Sequence, residues 1–178
     1  MQALILMKKL LTLIFIYTSL ASLAQDKPIT AADLDYRKDG NGSYLLVLTR
    51  GQPLIASLNA FMQKEKLPGA SISGLGAVEN AEIAYYDLAK KKYKYQKFVP
   101  SMEVLSLNGN LGTFEGAPVV HAHVALADSN YVVRGGHVKE AVVSLILEIT
   151  IVPTTKPITR EWNKEFDELR TMKKVKED

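Results

Sequence analysis

An α+β domain built on a mainly antiparallel β-sheet is the fold class this sequence predicts, and three observations predict it. Ahead of residue 70, one stretch carries apolar residues at helical spacing. From Ala70 to Val152 the chain runs as strand after strand, with turn residues between them. A helix followed by meandering strands, in the residues beyond the first 24 of a 178-residue chain and without internal repeat, fits one such domain with a sizeable core.

Residues 1–24 stand outside that domain and read as a secretory signal peptide. Lys8 and Lys9 form a positive start, Leu10 to Leu20 an apolar stretch, and Ser22-Leu-Ala24 a cleavage site of small residues. Met7 opens a compact alternative start. No cysteine follows to carry a lipid, and the apolar stretch is too short for a good membrane span. The expected address is therefore export, periplasmic or secreted, with no stable membrane anchor after cleavage. Cleavage also lowers the formal charge from +3 to +1, because two lysines and no acid leave.

The elements follow in order. Residues 25–42 are polar and form a leader. Ser43 to Thr49 is an apolar first strand. Leu54, Ile55, Leu58, Phe61 and Met62 make the stripe of an N-terminal helix packed on the sheet, which Pro68-Gly69 ends. Strands are expected over Ala70–Val78, Ala81–Leu88, Tyr93–Val99 and Met102–Asn108, then as a hairpin, then over Ala141–Val152. The domain proper spans 43–153. Beyond it, Trp162, Phe166 and Leu169 at helical spacing predict a short C-terminal helix over Arg160–Arg170, within a tail that occupies 154–178.

The hairpin carries the chemistry. All three histidines lie between positions 121 and 137. In Pro118 to Ala127, residues two apart share a face, so His121 and His123 point together, opposite the apolar row Val120, Ala122, Val124 and Leu126. Asp128-Ser-Asn130 turns the chain, and Tyr131 to Arg134 returns it with Gly135-Gly136-His137 beside the first pair. Three converging imidazoles suit a tetrahedral divalent metal with one position open, zinc first; a metal-free hydrogen-bonded pocket is the alternative. Glu103 and Glu148, acids in strand-like segments, are candidates for a further ligand or a hydrogen-bonding partner. Imidazole ligates only when neutral, so such a metal is expected to leave below about pH 6.

Other signals are weaker. Gly74-x-Gly76 lacks the third glycine and the following helix of a phosphate loop, so it reads as a bulge or a close approach of neighbouring backbone. Gly135-Gly136 reads the same way, with room for a ligand or subunit near His137. Lys90 to Lys97 interleaves five lysines with two tyrosines at an expected hairpin tip, where lysines guard an exposed edge. No residue sits in a nucleophile motif. Gly116-x4-His121-x-His123 echoes the start of a cupin metalloenzyme motif, without its glutamate or its second half.

Taken together, Gly74-Leu-Gly76 with Ala77-Val-Glu-Asn-Ala81, Tyr85-Tyr-Asp87, Met102-Glu-Val-Leu-Ser-Leu-Asn-Gly109, His121-Ala-His-Val-Ala125 and Gly135-Gly-His-Val138 resemble the plants-and-prokaryotes conserved (PPC) domain, from about Ser43 to Val152. The resemblance implies a compact α+β domain, a homotrimer, and a pocket at His121, His123 and His137 able to hold a metal or small ligand. Glu103, Leu105, Ser106 and Leu107 match the family's glutamate-containing strand. In plants the domain accompanies AT-hook segments in DNA-binding proteins, which makes DNA binding the alternative function by analogy. Here there is no Arg-Gly-Arg-Pro hook and the charge is near neutral, so DNA is not the expected partner. The resemblance brings no established reaction.

Overall fold

The computed structural model describes residues 29–167 and 170–173. The predicted signal peptide and residues 174–178 of the tail lie outside the described residues. After a short 3-10 turn at Ala31–Asp33, nine strands and one helix follow: β1 (Asp35–Lys38), β2 (Tyr44–Thr49), α1 (Leu54–Glu65), β3 (Ala70–Asp87), β4 (Lys92–Phe98), β5 (Met102–Phe114), β6 (Ala117–Ala127), β7 (Val133–Pro153), β8 (Thr159–Trp162) and β9 (Arg170–Met172). All pairs are antiparallel except β5 with β8.

Two strands are longer than their local patterns predict. Ala70–Val78 and Ala81–Leu88 are halves of one bent strand, β3, which pairs with β5 through its first half and with β4 through its second. It meets β7 along both. The bend sits at Gly76, where the register shifts against β5 and β7. There φ is +150°, and a Cβ would come within 2.2 Å of the Ile146 carbonyl oxygen, so only glycine fits. Because β7 also pairs with β6, and β6 with β5, strands β3, β5, β6 and β7 close into a ring. Val78, Ile83, Val104, Leu107, Leu126 and Leu147 are buried in the core it shares with α1.

Helix α1 lies over this core through Leu54, Leu58, Phe61 and Met62. Its first turn has no side-chain cap, since Pro53 occupies the N-cap. The Glu140 carboxylate of β7 does the job instead, accepting from the Ile55 and Ala56 amides at 2.8 and 3.4 Å. Burial nevertheless holds Glu140 above the usual carboxylate range. Lys66, left-handed at φ 50°, ends the helix ahead of Pro68.

Both chain ends depart from expectation. Within the polar leader, Asp35–Lys38 pairs with β2, and the Tyr36 hydroxyl donates to Glu65 on α1. Among the described residues of 160–170, no helix forms where the C-terminal one is predicted. Thr159–Trp162 runs parallel to β5 and pairs with Arg170–Met172. The physical reason is that its apolar residues serve different neighbours: Trp162 packs edge-on against Phe114, and Phe166 against Tyr86. Leu169 lies outside the described residues.

Candidate metal centre

The β6–β7 register sets His123 directly opposite His137, and His121 one alternation along β6. Alternation keeps the histidines off the core, because Val120, Ala122, Val124 and Leu126 on the same strand are all buried. Asp128 fixes the turn, accepting from the Asn130 and Val132 amides and from Arg134 Nη1 at 2.7 Å. Gly135 and Gly136 let neighbouring strands come close. A Cβ on Gly136 would stand 2.6 Å from the Ala84 carbonyl oxygen, and one on Gly135 2.5 Å from that of Val124.

The three rings converge, with centroids 5.3–5.6 Å apart. One potential ligand atom from each lies within 4.8 Å of the others. His121 and His137 are half-buried and His123 is exposed. Burial, assisted by Arg160 and the other histidines, pushes His121 and His137 down to about 4, so both are neutral at physiological pH. His137 stacks on Tyr93 at 5.3 Å, and its Nδ1 is buried without a hydrogen-bond partner. A neutral, buried, unpartnered imidazole nitrogen beside two other imidazoles is a donor set that fits a divalent metal.

Neither predicted acid is part of this group. Glu103 stands on β5 five residues from Asn108, the partner of His123, roughly 16 Å of extended chain away. Glu148 pairs with Val47 and Leu75 at the far end of β7. Both are exposed. Instead, the second row around the histidines comes from β5 and β8. Arg160, only 6% exposed, donates through Nη2 to Asn110 Oδ1 at 2.6 Å and to His121 Nδ1 at 3.1 Å, and through Nη1 to the Arg170 carbonyl. Beside them opens a cleft of about 1010 Å³, walled by Tyr93, Tyr95, Trp162 and Arg170. Sequence reasoning missed Arg160 and Arg170. A signal existed in the period-two alternation of Ile158, Arg160 and Trp162 with Thr159 and Glu161, which competes with the helical spacing of the aromatics.

With fold and site in view, the profile of the Plants and Prokaryotes Conserved domain matches residues 37–155. The chain belongs to that family. Among solved structures, a plant- and prokaryote-conserved (PPC) protein from Pyrococcus horikoshii is 31% identical, with a TM-score of 0.69 over 80% of this chain and 96% of that one. A metal-containing protein from Archaeoglobus fulgidus is 30% identical, with a TM-score of 0.66 over 75% and 93%. A candidate DNA-binding protein from Ralstonia eutropha is 25% identical, with a TM-score of 0.71 over 79% and 96%. No curated protein matches the chain by sequence. The PPC domain thus accounts for the whole sheet from the end of β1 to β7, while Arg160 and Arg170 lie beyond the matched residues.

Proposed function

We propose that this PPC chain is an exported homotrimer that holds one divalent metal ion, zinc first, on His121, His123 and His137, and offers it to a small ligand in the adjoining cleft. The observation that carries the reading is the convergence of three imidazole nitrogens within 4.8 Å, one of them on His137, whose Nδ1 has no hydrogen-bond partner. The metal-containing relative from Archaeoglobus fulgidus supports it. Three imidazole ligands would leave a position open, and a bound ion would supply Lewis acidity toward an oxygen there. Among the chain's own residues, Tyr93 stacks on His137, and Arg160, bonded to Asn110, reaches His121.

Export rests on the signal-like N-terminus. The trimer rests on an apolar patch around the Gly76 bulge, where Leu75, Leu105 and Leu145 are 60%, 56% and 70% exposed. Gly76 pairs with Val104 and Leu147, which brings these neighbours and Ile146 together. DNA binding has less support. The β3–β4 hairpin concentrates the exposed lysines, with formal charge only +3 overall, and such a patch gives weak, salt-sensitive attachment. The test is metal analysis with light scattering on the purified mature protein. About one zinc per chain in a particle of three chains is expected. Zinc-free protein after incubation with excess zinc at neutral pH would refute the metal centre, and a monomer the trimer.

A further inference from the structure

Among the described residues, every ionisable side chain lining the cleft beside the histidines, apart from the tyrosines, is basic: His121, His137, Lys139, Arg160 and Arg170 line it, and no aspartate or glutamate does. Lys139 is already engaged, with Glu82 at 3.3 Å and the Tyr95 ring at 4.8 Å. The arginines are not balanced in this way. Arg170 lies over the Phe114 and Trp162 rings and forms no ion pair among the described residues. Arg160 is buried, its three hydrogen bonds go to neutral groups, and its Nε has no partner. A buried guanidinium without a carboxylate is costly unless something anionic joins it.

The bond from Arg160 to His121 adds a second constraint. Arginine only donates, so His121 Nδ1 receives with its lone pair, and the ring proton of the neutral imidazole is on Nε2. His121 then has no free lone pair on either nitrogen. For it to ligate a metal, the contact with Arg160 must break, whichever nitrogen is used. Loading the site therefore releases a donor of Arg160 beside a dication, in a cavity that no carboxylate lines among the described residues.

We infer that the cleft is a receptor for a small organic oxyanion, a carboxylate or phosphate ester, held by Arg160 and Arg170 against the metal face, and that metal and anion reinforce each other's binding. This rests on the metal reading above. An organic body is required because Ile55, Val119, Val138, Trp162 and Met172 line the same space as the arginines. Reinforcement follows from linkage: the metal frees Arg160 and adds positive charge, so the anion binds better, and the anion must improve metal affinity by the same factor.

The experiment titrates benzoate, phenyl phosphate and neutral benzamide into the mature protein, with and without cobalt(II) in place of zinc, following heat and the visible cobalt spectrum. One or both anions should bind the cobalt form about tenfold more tightly than the metal-free form, a usual size for coupling between sites. They should outcompete benzamide, and which anion wins assigns the headgroup. Arg170→Gln, at an exposed position, should weaken the anions and leave benzamide unchanged; Arg160→Gln should in addition reduce the coupling. Equal binding of anions and benzamide to the cobalt form, or anion affinity untouched in Arg170→Gln, overturns the proposal. If cobalt and zinc both fail to bind, the metal reading falls separately. The arginine receptor is then judged on metal-free protein, where anions must still exceed benzamide and lose that preference in Arg170→Gln.

Discussion

The two sides of the β6–β7 pair differ in how completely the chain has filled them. Toward the core, Val124 and Leu126 line a closed interior with about 10 Å³ left over, no more than room for one water. On the other side lies the cleft of about 1010 Å³, where His137 Nδ1 and Arg160 Nε are buried without partners. The same two strands thus support a finished core and an unfinished polar surface. Stability is concentrated on the first side, and binding capacity on the second.

The largest expected effect tests the closed side. Leu126→Ala removes a fully buried side chain, and the cavity should cost about 2–5 kcal/mol in denaturant unfolding. A loss below about 1 kcal/mol would mean the ring interior is not tightly packed. His123→Ala, on the exposed side, should stay within about 0.5 kcal/mol of wild type without metal. The next effect is on the open side. Zinc at about a hundred times its dissociation constant should stabilise wild type by about 2.7 kcal/mol, and His123→Ala should lose this entirely. Equal stabilisation of both proteins would place the zinc elsewhere.

A third test is the acid sensitivity of metal-free protein. His121 and His137 sit at about 4 in the fold against an ordinary 6.5, so the unfolded chain takes up protons first as pH falls. The stability that both contribute is complete above pH 6.5 and is lost progressively toward pH 4. His137→Gln should show a shallower decline across that window. An identical decline would mean the His137 ring is more open to water than its burial implies.

Most of the sheet and the histidine set were legible from local pattern, because strand alternation puts His121 and His123 on one face whatever the rest of the chain does. The 3.6 period of Leu54 to Met62 located α1 in the same way. Less visible were features decided by distant contacts. The union of two predicted strands into β3 depends on β7 running alongside both halves. The place of Glu140 depends on a helix that begins with proline. The tail misled because Trp162 and Phe166 share a helical spacing but pack on different partners, and Arg160 gave no sequence sign that it would reach Asn110 and His121. Glu103 drew attention as an acid in an apolar strand, yet it stands at an exposed position well along β5 from the histidines.

The ring of β3, β5, β6 and β7 has one more implication. A small zinc module folds around its ion and collapses when a chelator takes it away. Here backbone pairing sets His123 and His137 across from each other without any ion. Such a frame allows an ion to be stripped and restored with the protein still folded. It also fixes the backbone spacing of that pair, so an ion bound between the two rings would have to suit a distance set by the hydrogen bonds of the β6–β7 ladder.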